Sequence, residues 1–240
     1  MEVEMSYGTA PLSKLMTKVF GWMALALLVT VVVAGGGAAF LVYVVPKIAD
    51  SNLAASIYLG VLIAASIMQV VLIIAIQWIG VFKRQKSTLV PFLVYAVCMG
   101  ILLSSIVAFV DLGSLILAFG ATCICFGSMA LIGIMTKGNM RVPAMVALGA
   151  ILGAGFLALF NFIYGLATGT PIGMIGWLVS GLVFFFLMVI TAIDINSIKK
   201  IAQNSELTRN LAIYCAFHLY YDFIMIFIRI LSYIGIMQRD

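Results

Sequence analysis

Long apolar runs, broken at short intervals by charged residues, proline and glycine, occupy most of this chain. Because an α-helix needs roughly 20 apolar residues to cross the hydrocarbon core of a bilayer, each run is long enough to span it. The breaks predict seven helices, near residues 18–45, 54–81, 88–110, 113–135, 142–166, 171–198 and 209–236. The pattern therefore predicts an all-α membrane protein with seven transmembrane helices.

Composition extends this prediction to the whole chain. Of the 240 residues, 65% are hydrophobic and only 9% are charged, which lies far outside the range of soluble domains. We expect a single transmembrane domain over residues 1–240, with a short cytoplasmic N-terminal tail at about residues 1–17 and the lipid bilayer as its main partner.

The distribution of Lys and Arg indicates how the helices are oriented. Ten basic residues fall at one side of the predicted spans: Lys14, Lys18, Lys83, Arg84, Lys86, Lys137, Arg141, Lys199, Lys200 and Arg209. Only Lys47 and Arg239 fall at the other side. Since basic residues concentrate on the cytoplasmic side, this asymmetry favours a cytoplasmic N-terminus and a C-terminus on the opposite side. Six spans followed by a re-entrant last helix is the alternative topology.

The formal net charge of +5 does not indicate a nucleic-acid partner, because the basic residues stand at the ends of apolar runs. The short tails and the lack of an organelle retrieval signal favour the plasma or inner membrane of a bacterium. An internal membrane is the alternative location.

Ionisable residues within the spans are the functional candidates, because burying a charge in lipid costs of the order of ~3 kcal/mol. Four such residues, Asp194, His218, Asp222 and Arg229, lie in the last two helices. Asp194 precedes Lys199 by five residues, which places it roughly 7 Å from the cytoplasmic end of the sixth helix. Asp222 lies deeper in the seventh helix, and His218 precedes it by one turn on the same face.

If the last two helices pack side by side, the two carboxyl groups can converge. Two carboxylates held close together in a low-dielectric site cannot both ionise cheaply, so they share a proton at moderate pH. Loss of that proton leaves two negative charges that repel each other, open a gap, or hold a cation such as Ca²⁺. Asp194 and Asp222, here called the aspartate pair, would then form a proton-sensitive latch.

Each candidate also has a simpler interpretation. Each aspartate could form a salt bridge with a cytoplasmic Lys or Arg and serve assembly alone. His218 is either a protonation switch or a hydrogen-bonded packing residue, and Arg229 either modulates the pair or reaches to the far interface. The small-residue spacing of Gly149 and Gly153 predicts a close approach between helix five and another helix.

At these residues the sequence resembles a known family. The segments Ile-Thr-Ala-Ile-Asp-Ile-Asn-Ser-Ile-Lys at 190–199 and Leu-Tyr-Tyr-Asp-Phe-Ile at 219–224 are similar to the C-terminal signature of the Bax inhibitor-1 family, also called the transmembrane Bax inhibitor motif family. Weaker matches occur upstream at 136–139 and 160–162.

The resemblance implies a seven-helix fold in which the last helix is central and wrapped by the other six. It also implies a pH-sensitive calcium leak, with Asp194 and Asp222 as pH sensor, gate and transient Ca²⁺ ligands, and with no cofactor beyond the permeant ion. A basic residue at the cytoplasmic end of helix two, Lys83 or Arg84, would modulate the pair. His218 stands where relatives carry a small polar residue, so it could alter the pH of gating.

Two other classes of function compete with a channel. Some relatives act by binding a membrane-anchored protease, and others restrain cell death through partners, so the chain could be an interaction protein. An intramembrane aspartyl protease would need a Gly-x-Gly-Asp motif, which the sequence lacks, and we therefore expect no enzymatic activity.

The charge asymmetry generates a topological prediction. Reporter tags fused at Met1 and inserted near Asn204 should be exposed to the cytoplasm, while a tag after Asp240 should be exposed on the opposite side. Accessibility to an impermeant labelling reagent in intact cells measures both. A cytoplasmic C-terminus would contradict the seven-span topology.

Overall fold

The computed structural model describes residues 12–47, 51–82, 88–136, 138, 140–169, 173–204 and 209–237. Within these ranges the chain forms seven α-helices and a three-residue 3-10 helix, Val45–Lys47, and it forms no strand. The helices are α1 (Leu12–Tyr43), α2 (Ser51–Phe82), α3 (Leu89–Val107), α4 (Leu112–Met135), α5 (Arg141–Thr168), α6 (Gly173–Asn204) and α7 (Arg209–Met237). All seven are long and apolar enough to cross a membrane. The predicted all-helical, seven-span fold is confirmed.

Helix ends differ from the predicted ends where polar residues continue a helix. The first helix begins at Leu12, so residues 12–17 of the predicted tail are helical, and α6 continues from residue 198 to Asn204. Apolar runs report the hydrocarbon thickness, whereas a helix ends only where its backbone is capped or turned. For α5 that point is Gly169, whose φ of 81° few other residues adopt.

The helices form two compact units, one built from residues Met1–Ile116 and Ala202–Tyr220 and the other from Leu117–Ile201 and Tyr221–Asp240. Helix α7 contributes its first part to the first unit and its second part to the other. In its most apolar stretch 61% of residues are buried, against 44% or less in every other helix. Helix α7 is therefore the most buried of the seven, and its predicted central position stays a prediction.

In the first unit, α7 is joined to α1 and α3 by a buried polar contact. The Tyr220 and Thr30 hydroxyl groups are 2.6 Å apart, and the Thr30 hydroxyl also donates to the backbone carbonyls of Ala96, at 3.1 Å, and Ala26, at 3.0 Å. The ring of Phe92 packs edge-on against that of Tyr220 at 5.5 Å. Hydrogen bonding inside an aromatic layer satisfies these hydroxyls where no water is available.

Close helix approach occurs at other glycines than the predicted ones. A Cβ on Gly149 or Gly153 of α5 would meet no atom within 4 Å among the described residues, so the prediction of close packing there is wrong. A Cβ on Gly100 of α3 would instead lie 2.6 Å from the Val33 Cβ and 2.9 Å from the Thr30 carbonyl oxygen of α1. Gly100 therefore lets α3 approach the α1 backbone.

Replacing Gly100 with Ala should lower the free energy of unfolding by about 1–3 kcal/mol, because the added methyl group overpacks the α1–α3 contact. Gly60→Ala in α2 is the matched control, since a Cβ there meets nothing within 4 Å. It should be neutral, or stabilising by up to about 1 kcal/mol through helix propensity. Thermal unfolding of both variants in detergent measures the difference, and equal melting temperatures would contradict the proposed contact.

Candidate functional site

The two aspartates of the sequence analysis lie in the second unit and contact each other. Asp194 is on α6 and half-buried, while Asp222 is on α7 and 4% exposed. Their side chains lie within hydrogen-bonding reach of each other. Since an ionised carboxylate only accepts hydrogen bonds, a bond between the two groups requires a proton on one of them. The pair is thus placed where a proton can be shared, and its role as a pH sensor stays a prediction.

Aromatic side chains pack at the residue that follows Asp222. Phe223, the next residue of α7, packs edge-on against Phe119 and Phe126 of α4, with ring centroids 5.6 Å apart in both cases. The Oδ2 atom of Asp222 is buried and has no hydrogen-bond partner among the described residues. Because charge is poorly solvated there, a second negative charge would be costly unless a proton or cation accompanied it.

A set of contacts between α6 and α4 holds the other end of the pair. A Cβ on Gly133 would lie 2.6 Å from the Ala192 carbonyl oxygen, so the two backbones approach closely. The Asn196 amide donates to the carbonyls of Gly133, at 3.1 Å, and Thr136, at 2.8 Å. These carbonyls belong to the C-terminal end of α4, where the backbone lacks partners within its own helix. Asn196 therefore caps α4 and fixes α6 two residues from Asp194.

Cations near the pair bind elsewhere. The Lys199 ammonium donates to the Ile134 carbonyl, at 2.7 Å, and the Lys200 ammonium to that of Gly138, at 3.4 Å. The Arg229 guanidinium donates from Nη1 to Ser180 Oγ, at 3.2 Å. None of these three cations is bonded to the pair among the described residues, and the interpretation of each aspartate as a salt-bridge partner of some cytoplasmic Lys or Arg stays open.

The other predicted modulators of the pair are His218, Lys83 and Arg84. His218 belongs to the first unit, one turn before Asp222 along α7, and its ring contacts those of Tyr214, at 4.8 Å, and Phe217, at 5.8 Å. Its influence on the pair stays a prediction. Lys83 and Arg84 lie outside the described residues.

The described side chains contain no group of three or more His, Cys, Asp and Glu residues that could hold a metal ion together. Two carboxyl groups alone supply fewer oxygens than the six to eight that Ca²⁺ takes, so any ion there would keep water or backbone ligands.

Sequence reasoning missed the residues that position the pair. Asn196 and Lys199 stand within the segment that carries the family resemblance, yet only Asp194 was assigned a role in it. The sequence indicates that Asn196 has a hydrogen-bond partner, because an Asn inside an apolar helix must find one. Only the tertiary structure shows that this partner is the set of carbonyl groups at the end of α4.

A family model described as Bax1-I, inhibitor of apoptosis-promoting Bax1, matches residues 12–239. The chain belongs to this family. The resemblance found in the last two helices therefore holds over nearly the whole sequence.

Two of three bacterial relatives of this Bax1-I protein are membrane proteins by name. Inner membrane protein YbhL of Escherichia coli is 28% identical over 231 residues, covering 94% of this chain and 93% of YbhL. An uncharacterized membrane protein of Streptococcus pyogenes is 27% identical over 174 residues, covering 71% of this chain and 72% of its own length. An uncharacterized protein of Borreliella burgdorferi is 25% identical over 236 residues, covering 95% and 94%. The chain is accordingly a multi-pass membrane protein of the Bax1-I family.

Asn196→Ala should lower the free energy of unfolding by about 1–2 kcal/mol, because it removes two interhelical hydrogen bonds and leaves buried carbonyl groups unpaired. Ser197→Ala is the control, since Ser197 is exposed and its one hydrogen bond to a described residue is to the Ile193 carbonyl of its own helix. Melting temperatures in detergent compare them. Equal effects of the two variants would show that Asn196 does not fix α6 on α4.

Proposed function

We propose that this Bax1-I protein is a proton-sensitive leak for calcium or similar cations, gated by the Asp194–Asp222 pair. The observation that carries the proposal is the proximity of two carboxyl groups, one of them almost completely buried, among helices long and apolar enough to span a membrane. Intramembrane carboxyl groups are costly, and they commonly mark ion and proton pathways.

Protonation determines whether α6 and α7 are held together at this point. With one proton present, a carboxyl group donates to a carboxylate and the two helices are linked. When pH rises enough to remove that proton, both groups are negative and repel each other in surroundings that screen charge poorly. The link is then lost, so the conductance should increase as pH rises through the titration of the pair.

A cation has a reason to enter once the pair is ionised. Two adjacent carboxylates attract a divalent ion, and oxygen ligands suit Ca²⁺. The apolar layer formed by Phe119, Phe126 and Phe223 would oppose passage while the latch is closed. If α6 and α7 separate at Asp222, this aromatic layer would be interrupted beside the aspartates, and the gate would open.

The other parts of the proposal concern context. We place the protein in the plasma or inner membrane with a cytoplasmic N-terminus, which the charge asymmetry and the name of the YbhL relative support. His218 and the basic residues Lys83 and Arg84 would tune the pH of opening. The protein would conduct ions without catalysing a reaction and without a resident cofactor.

The aspartates should act as one unit, because a shared proton is lost when either partner is changed. Asp194→Asn and Asp222→Asn keep the shape and remove the charge repulsion. Each single variant should lose most of the pH response, bringing the ratio of calcium flux at high and low pH close to one. The double variant should be little different from either single variant, and this non-additivity identifies the pair.

Calcium flux into proteoliposomes at several pH values, with matched protein levels, measures the response. Asp111→Asn is the control, because Asp111 caps α4 by accepting from the Ser114 backbone amide at 2.8 Å, and Asn caps equally well. The control should keep the wild-type pH profile. If both single variants also keep it, the latch is wrong, and an interaction protein that binds a membrane protease becomes the better interpretation.

A further inference from the structure

Arg229 is a cation inside the apolar stretch of α7 that does not belong to the aspartate pair. It lies seven residues after Asp222, or about 10 Å along the helix. Its side chain is half-buried, and its one hydrogen bond among the described residues is that from Nη1 to the neutral Ser180 hydroxyl. A guanidinium group carries five N–H donors, so most of its donors and its whole charge lack a protein partner in this part of the chain.

Ser180 links this guanidinium to two aromatic side chains within the second unit. Ser180 Oγ donates to the Tyr233 hydroxyl at 3.1 Å. The Tyr233 ring stacks on that of Trp177, with centroids 6.4 Å apart and planes 9° apart, and Trp177 is 57% exposed. We call Arg229, Ser180, Tyr233 and Trp177 the Arg229 cluster. It presents one positive charge and two hydroxyl groups beside an exposed aromatic surface.

The cluster lies near one end of the two helices. Arg229 is five residues before the end of the α7 span at Ile234, about 7 Å, and Trp177 is four residues after the start of α6 at Gly173, about 6 Å. Trp and Tyr concentrate at the level of the lipid headgroups, and an Arg at this depth reaches that level. The exposed apolar residues Met174 and Leu178 continue the same surface of α6.

We propose that the Arg229 cluster binds the phosphate group of an anionic phospholipid in the adjoining leaflet. The planar guanidinium matches two phosphate oxygens at once, and the Tyr233 hydroxyl, which accepts from Ser180, has its own proton to donate to the phosphate. The exposed Trp177, Met174 and Leu178 side chains offer acyl chains a surface to pack on. A free phosphate ion shares the headgroup chemistry, but it would leave this apolar surface unused. The proposal is independent of the calcium leak.

The test measures lipid retained by the full-length protein in detergent, by native mass spectrometry, and the accompanying rise in melting temperature. The probes are phosphatidylglycerol, phosphatidylcholine and inorganic phosphate. The wild type should retain phosphatidylglycerol in preference to phosphatidylcholine. Arg229→Gln should bind phosphatidylglycerol about tenfold more weakly, because it removes a charge-assisted contact.

Arg209→Gln is the matched control, since it removes the same charge from the other end of α7, where Arg209 lies over the Trp22 ring at 5.2 Å. The control should retain phosphatidylglycerol as the wild type does. Tyr233→Phe, which keeps the stacking and loses one hydroxyl group, should bind a few-fold more weakly. This variant carries the test if Arg229→Gln does not fold.

Three results would overturn the proposal. Unchanged binding in Arg229→Gln, or in Tyr233→Phe where only that variant folds, would show that the cluster holds no lipid. Equal losses in Arg229→Gln and Arg209→Gln would show diffuse charge attraction. Displacement of the lipid, or equal thermal stabilisation, by inorganic phosphate in excess would assign the site to a free anion.

Discussion

The hydrocarbon core of a bilayer offers no water, so each polar group inside these helices depends on another part of the chain for a hydrogen bond. Tyr220 is met by Thr30, Asn196 by carbonyl groups at the end of α4, and Asp222 by Asp194. Apolar side chains pack about equally well against lipid and against each other, and these few polar contacts therefore do much to determine which helix faces meet.

Helix α6 is held in two chemically different ways within a few residues. The Asn196 amide bonds to α4 at every ordinary pH, because an amide does not titrate. The bond from Asp194 to α7 requires a proton and is conditional. The fixed contact to α4 lies next to the conditional contact to α7. A change of protonation can therefore alter the α6–α7 contact without releasing α6 from α4. This arrangement is the physical basis of the proposed gate.

Charges in the second unit are separated along α6 and α7. The carboxyl pair is held at one level and the Arg229 cluster about 10 Å further along α7, where Ser180 rather than a carboxylate accepts from the guanidinium. Lys199 is likewise occupied by the α4 carbonyls. Neither Lys199 nor Arg229 therefore bonds to the pair among the described residues.

By itself the sequence determined the seven spans, the charge asymmetry and the candidates Asp194 and Asp222, because span length and the cost of buried charge are local properties of a helix in lipid. Tertiary structure decided which residues these candidates meet. It assigned close approach to Gly100 and Gly133 rather than to Gly149 and Gly153, and it directed Lys199 to the end of α4. Those outcomes depend on which helix lies opposite each face, and the hydropathy of a single helix carries no information about its neighbour.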